Sequence, residues 1–150
     1  MSEHRSASTL LIVDDDPAMV RLLSMFTARA FGDDMHIETA TDPQAALERI
    51  DQGGIDILLT DLDMPEVGGI DILKSAKRRN ACTQVIVLTG HSSGQALLSA
   101  LELGASDYVL KPVDQETLLS LLRQAHRRRL RWQQALVATW QQKKHACATE

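Results

Sequence analysis

The chain has 150 residues, 44% of them apolar and 24% charged, with a formal net charge of −4. That length suits one domain with a short appendage and excludes two full domains. The composition is that of a soluble globular protein, and no run of roughly eighteen or more apolar residues offers a membrane-spanning helix. Met1 to Ser8 is polar and lacks the apolar stretch of a secretory signal, so a cytoplasmic location is expected. Cys82 and Cys147 are too few and too far apart for a disulfide framework or a zinc site, and ordinary thiols are expected. The charge is uneven. Residues 1–113 carry 9 basic and 17 acidic side chains, a balance of −8, whereas residues 114–150 carry 7 and 3, a balance of +4. An acidic body argues against nucleic acid as a partner. Arg127, Arg128, Arg129 and Arg131 read as one exposed helix face, with no direct nucleic-acid binding expected.

In chain order, apolar runs of strand length fall at about 10–13, 36–40, 56–60, 84–89 and 106–110, the second weaker than the rest. They are nearly continuous rather than alternating, as in a parallel sheet covered on both faces. Between them lie helical spacings: Met19, Leu22, Leu23 and Phe26; Ala46, Leu47 and Ile50; Ile70, Leu73 and Ala76; Ala96, Leu97, Ala100 and Leu101. Asp16-Pro17 and Asp42-Pro43 pair an N-cap with proline at the first helical position, and Gly32, Gly53-Gly54 and Gly104 fall where helices should stop. The expected fold is therefore α/β, a doubly wound five-stranded parallel sheet of (βα)5 type. After Asp114 the helical pattern continues past the length of a crossover helix. Leu118, Leu122, Ala125, Arg129, Trp132 and Leu136 keep the 3-4 spacing of a coiled-coil seam, and neither Gly nor Pro occurs from Val113 to the end. The expected organisation is a domain over 8–125 and a helical extension, linker or coiled coil over 126–150.

Three strand ends carry chemistry. Leu11-Ile12-Val13 runs into Asp14-Asp15-Asp16, Ile57-Leu58-Leu59-Thr60 into Asp61, and Tyr108-Val109-Leu110 into Lys111-Pro112. Open α/β sheets place ligands outside the carboxyl ends of their strands, so these groups are expected in one crevice. Carboxylates so crowded must be protonated, separated or neutralised by a cation. Oxygen donors beside solvent suit Mg²⁺, and no nearby His or Cys favours zinc. Asp16, before Pro17, is the better helix cap and leaves Asp14 and Asp15 for the cation.

With these residues in view, the chain resembles a response-regulator receiver domain over residues about 8–125, a flavodoxin-like fold. The motifs are Leu-Ile-Val-Asp-Asp-Asp-Pro at 11–17, Leu-Leu-Thr-Asp-Leu-Asp-Met-Pro at 58–65 with Gly68-Gly69, Val-Leu-Thr-Gly at 87–90 and Asp-Tyr-Val-Leu-Lys-Pro at 107–112. The resemblance implies that Asp61 accepts a phosphoryl group from a histidine kinase or histidine phosphotransfer protein. Asp14, Asp15, Asp61 and the backbone carbonyl of Asp63 then hold Mg²⁺, with Mn²⁺ as a substitute. It further implies a cis bond before Pro112, Thr89 and Lys111 on the phosphoryl oxygens, and Tyr108 as an aromatic switch following Thr89. The face of the fourth helix, fifth strand and fifth helix is the implied output to an effector domain or protein. Asp63 and His91, two residues beyond Asp61 and Thr89, are expected to tune the phosphoryl lifetime.

Physical chemistry supports the same roles. A carboxylate attacks an already anionic phosphoryl group poorly, so cations and geometry must supply most of the help. Lys111 is a point charge that can reach a phosphate oxygen, and Thr89 a hydroxyl donor at a strand end. Asp61-Leu62-Asp63-Met64 also resembles the nucleophile motif of haloacid-dehalogenase phosphatases. That family puts its motif on the first strand and an acidic pair after the lysine, and here the order is reversed. A receiver-like module that binds partners without phosphorylation is the other alternative. Homodimerisation is expected through the output face or the C-terminal helix.

Overall fold

The computed structural model describes residues 7–64, 68–90 and 94–148, residues 144–148 by their helical backbone alone. His91 and Pro65, and with them the expected tuning role of His91, lie outside the described residues. The apolar runs become β1 (Ser8–Val13), β2 (Met35–Ala40), β3 (Ile57–Asp61), β4 (Gln84–Thr89) and β5 (Asp107–Leu110). Between them lie α1 (Pro17–Phe31), α2 (Pro43–Asp51), α3 (Gly69–Arg79) and α4 (Gly94–Glu102), and α5 (Gln115–Ala148) closes the chain. All strand pairs are parallel in the order β2-β1-β3-β4-β5, so the order reverses direction between β1 and β3.

Strand residues explain the continuous apolar runs by going alternately to two cores. Leu11, Val13, Leu58, Val85 and Val87 meet Ala46, Ile50, Ile72, Leu73 and Ala76 on the α2–α3 side. Leu10, Ile12, Ile57, Leu59, Ile86 and Leu88 meet Val20 and Leu23 of α1 and Leu118, Leu122 and Ala125 of α5 on the other. Neither face of the central strands can be polar, because each is covered by helices. β2 runs at one edge with only Met35 fully buried, which accounts for its weaker apolar signal.

The helix starts follow from the Asp-Pro pairs. Asp16 accepts a hydrogen bond from the Ala18 amide at 3.0 Å and Asp42 one from the Gln44 amide at 3.3 Å, each ahead of a proline in the first turn. α1 ends on Gly32 at φ 52°, a left-handed conformation that glycine adopts without steric cost.

α5 differs from the seam expectation in an informative way. Its first half spends Leu118, Leu122 and Ala125 on the sheet, and the helix then runs unbroken through residue 125 for 34 residues, roughly 50 Å at about 1.5 Å per residue. Arg129, an awkward residue in a coiled-coil seam, pairs instead with Asp56 at 3.2 Å, while Asp56 also accepts from the Thr9 amide at 2.8 Å. Arg128 donates to Gln84 Oε1 at 2.7 Å, and Ser8 Oγ lies 2.6 Å from His126 Nδ1. These polar contacts fasten α5 to the amino-terminal edge of the sheet, opposite the strand ends that carry Asp14 and Asp61.

Gly69 opens α3 directly against β3. A Cβ at this position would overlap the Asp61 carbonyl oxygen and lie 2.7 Å from Leu62 Cα, both backbone atoms with little freedom to yield. Gly69→Ala is expected to destabilise the fold by about 1–3 kcal/mol, read as a lower denaturation midpoint in urea.

Candidate functional site

The strand order places the chemistry. β1 and β3 are neighbours, with Val13 opposite Thr60, so Asp14 and Asp61 emerge side by side at the reversal point of the sheet. Asp14, Asp15 and Asp61 each offer a carboxylate oxygen within 4.8 Å of the others, Asp14 and Asp61 buried and Asp15 exposed. Lys111, just beyond β5, reaches across to them. Its Nζ donates to Asp14 Oδ2 and to Asp61 Oδ2, both at 3.0 Å. The second oxygen of each carboxylate is also held: Asp14 Oδ1 accepts from the Asp16 amide and Asp61 Oδ1 from the Asp63 amide, each at 3.0 Å. The Lys111-Pro112 bond is cis, as the resemblance implies.

Burial pushes the Asp14 carboxyl above the ordinary carboxylate range, and the charge of Asp61 adds to the rise. The Asp16 amide and the Lys111 amine oppose it without cancelling it. For Lys111 burial acts to lower the pKa, but the hydrogen bonds and charges of Asp61 and Asp14 outweigh it and leave the amine above its usual value. The centre thus holds its lysine charged and is short of positive charge for three carboxylates. That donor set of hard oxygens, one of them solvent-exposed, fits a divalent cation of the Mg²⁺ kind.

Thr89, the last residue of β4, is 2% exposed. Its Oγ1 is the one buried side-chain polar atom among the described residues without a hydrogen-bond partner. An unsatisfied buried hydroxyl costs about 1–3 kcal/mol, so its presence at a strand end beside the acidic group calls for a ligand. Tyr108 on β5 sits opposite Val87 in register and is half-exposed. The Asp63 carboxylate accepts from the Gly90 amide at 3.4 Å and so links the loops after β3 and β4 across the mouth of the site. Sequence reasoning picked Asp63 for its position and missed this bridge, because a contact between two loops leaves no periodic signal.

A family description, the response regulator receiver domain, matches residues 10–123. The chain belongs to this family. The protein is therefore a receiver domain, the module that acts in response regulators as a phosphorylation-dependent signalling switch. It is 34% identical over 119 residues to the transcriptional regulatory protein TrcR of Mycobacterium tuberculosis, covering 79% of this chain and 45% of that protein. It is 34% identical over 116 residues to the transcriptional regulatory protein ZraR of Escherichia coli, covering 77% of this chain and 26% of the other. A probable cyclic di-GMP phosphodiesterase of Vibrio cholerae shares 39% identity over 114 residues, 25% of its own length. The receiver thus spans less than half of these relatives, and the activities in their names are theirs. Among solved structures, a CheY-like receiver domain protein from Methanospirillum hungatei superposes with a TM-score of 0.78 at 25% identity, over 84% of this chain and 98% of that one. A receiver domain from Clostridium thermocellum superposes at 0.72 and 28% identity, over 81% and 95%.

The raised pKa of Asp14 has a measurable consequence. A carboxyl that titrates higher in the fold than in the unfolded chain lowers stability as pH rises through that interval, and below the unfolded value both states are protonated and the loss vanishes. Asp14→Asn is expected to raise the melting temperature of metal-free protein near neutral pH and to leave it unchanged in strong acid. The stabilisation that added Mg²⁺ gives the wild type should be lost in the variant. Differential scanning fluorimetry across pH, with and without Mg²⁺, measures both effects.

Proposed function

We propose that Asp61 is the phosphoacceptor of this receiver, taking its phosphoryl group from the phosphohistidine of a kinase or phosphotransfer protein. A P–O bond forms to the Asp61 carboxylate as the P–N bond of the donor breaks, and the imidazole leaves with the bonding pair. The observation that carries this reading is the unpartnered, buried Thr89 hydroxyl at the end of the strand beside Asp61. With Lys111 it forms a pair of donors of the kind that receives phosphoryl oxygens. Asp14, Asp15, Asp61 and the carbonyl of Asp63 would hold Mg²⁺ or Mn²⁺, which supplies positive charge to the transferring oxygens. Lys111, which donates to the Asp61 carboxylate at 3.0 Å, then shifts its amine from carboxylate to phosphoryl oxygen. Thr89 turns its free hydroxyl to a second oxygen.

Phosphorylation replaces one carboxylate with a group of greater charge and more acceptors. Thr89 is drawn toward it, and Tyr108, half-exposed on the neighbouring strand, follows into the vacated space. A shift of population from 1:99 to 99:1 needs about 5.5 kcal/mol of differential stabilisation, a sum that a few charge-assisted hydrogen bonds supply. The changed surface is then α4, β5 and the start of α5, offered to an effector. Asp63, through its link to Gly90, stands where it can hinder or guide an attacking water. His91 is assigned the same tuning role from its sequence position. Among the described residues no helix is long and apolar enough to cross a membrane, and a cytoplasmic setting fits a partner that is a kinase domain.

Incubation with Mg²⁺ and acetyl phosphate, followed by intact mass measurement, is expected to show one labile phosphoryl group on the wild type and none on Asp61→Asn. Fast release of inorganic phosphate without an accumulated adduct would identify a phosphatase, and neither adduct nor release a binding module. Thr89→Ala removes a hydroxyl that satisfies no partner, so its folding stability should stay within about 1 kcal/mol of wild type. The same variant should lose the spectroscopic response to beryllofluoride that the wild type shows.

A further inference from the structure

Asp63 touches the site twice. Its amide donates to Asp61 Oδ1 at 3.0 Å, and its carboxylate accepts from the Gly90 amide at 3.4 Å. An anion therefore already sits on the first amide beyond Thr89. The sheet accounts for the place of that amide. Backbone groups along β4 point alternately to its two neighbours. The Leu88 carbonyl accepts from the Leu62 amide on the β3 side, and the Thr89 carbonyl from the Lys111 amide on the β5 side, both at 2.9 Å. Gly90 has the parity of Leu88, so its N–H is directed toward the end of β3, where Asp61 stands. A Cβ added at Gly90 would first meet the Lys111 side chain, at an ordinary 3.7 Å. Gly90 thus lies against the stem of the lysine whose amine is on Asp61, with room beside it.

A phosphoryl group on Asp61 brings oxygens that need donors. Lys111 and Thr89 supply two. The Gly90 N–H, at the same strand end and aimed to the same side, is a third, but in the resting chain a carboxylate holds it. Two anions cannot occupy one amide, and side by side they repel. Asp63 is exposed, so its carboxylate loses little on returning to water.

We propose that the Asp63 carboxylate stands in for the phosphoryl group at the Gly90 amide, and that phosphorylation of Asp61 displaces it. Asp63 is then a positioning residue. Its bond to Gly90 ties the end of β4 to the loop after β3 and holds Thr89 in its resting place. Release of that bond frees the Thr89–Gly90 peptide to follow the Thr89 hydroxyl toward Asp61, so acceptance of the phosphoryl group and release of the clamp are one event. The clamp opposes formation of the adduct, before any water attacks, and is in that respect separate from tuning of its lifetime. The inference rests on Asp61 as the acceptor. A charge-assisted bond that is long and exposed has a modest effect, so a change of about three- to tenfold in rate is expected on its removal.

Amide NMR and the rate of adduct formation test it on the full chain, as wild type, Asp63→Ala and Asp63→Asn. The side chain is exposed, so all three should fold, as far-UV circular dichroism will verify. In metal-free Asp63→Ala the Gly90 amide is expected to move upfield, having lost its acceptor. With Mg²⁺ and beryllofluoride the Gly90 resonances of wild type and Asp63→Ala should converge, because the same ligand then takes the amide in both. The initial rate of adduct formation from acetyl phosphate, read by intact mass, should rise about three- to tenfold in Asp63→Ala. Asp63→Asn removes the charge but keeps an oxygen for the amide, and its rate should stay closer to wild type. Equal acceleration in the two variants assigns the effect to charge alone and overturns the proposal. So does a wild-type Gly90 resonance that beryllofluoride leaves in place, and so does an Asp63→Ala rate at or below that of wild type. Each of these failures leaves Asp61 as the acceptor, since the chains still gain their phosphoryl group. Absence of an adduct on all three would instead remove the acceptor reading and this inference with it.

Discussion

A single ammonium group shared equally between two buried carboxylates is the interaction on which this receiver depends. Asp14 and Asp61 are brought together by strand order, not by choice of rotamer, and with Asp15 beside them they would repel strongly enough to loosen the strand ends. Lys111, 3.0 Å from each, makes that proximity tolerable. It does so incompletely. Three acids face one amine, and the carboxyl that is most enclosed keeps a raised pKa. The deficit of positive charge is what makes the crevice receptive to a divalent ion, and the fold gives up some stability to maintain it.

The sheet makes this arrangement rigid. Asp61 closes a strand buried along its whole length, Asp14 follows one buried at every residue but Thr9, and the amides of Asp16 and Asp63 hold the carboxylate oxygens the lysine leaves. Gly69 lets α3 begin in contact with the Asp61 carbonyl, so the acceptor is braced from behind by backbone rather than by a side chain that could swing away. Against that stiffness, Thr89 is the loose part. Its hydroxyl is enclosed and has nothing to bond, a small local cost that only an added group at the site would relieve.

How much of this could be read from the residues alone depends on the range of the interaction. Alternation of buried residues between two cores produces continuous apolar runs, so the five strands, their crossover helices and the Asp-Pro starts were legible, with β2 faint because it is an edge. The meeting of Asp14, Asp61 and Lys111 was legible because strand ends in a parallel sheet share one side. Contacts between segments without such a rule were not. The Asp63 link to the Gly90 amide joins two loops, and the pairing of Asp56 with Arg129 joins a loop to a helix. The 3-4 spacing along α5 was read as one seam, yet its first half serves the sheet and only its second half is free of it. Periodicity identifies an apolar stripe and says nothing of which body it meets.

The fastening of α5 to the far edge of the sheet gives the molecule a mechanical property. The helix is held at Leu118, Leu122, Ala125 and Arg129 and projects freely from Arg131 onward, a stretch of about 27 Å to Ala148 at about 1.5 Å per residue. A beam anchored at one end converts rotation at its root into travel at its tip. A slight tilt of α5 against the sheet, too small to disturb the packing beneath it, therefore displaces the indoles of Trp132 and Trp140 by a distance that grows with each turn from the anchor.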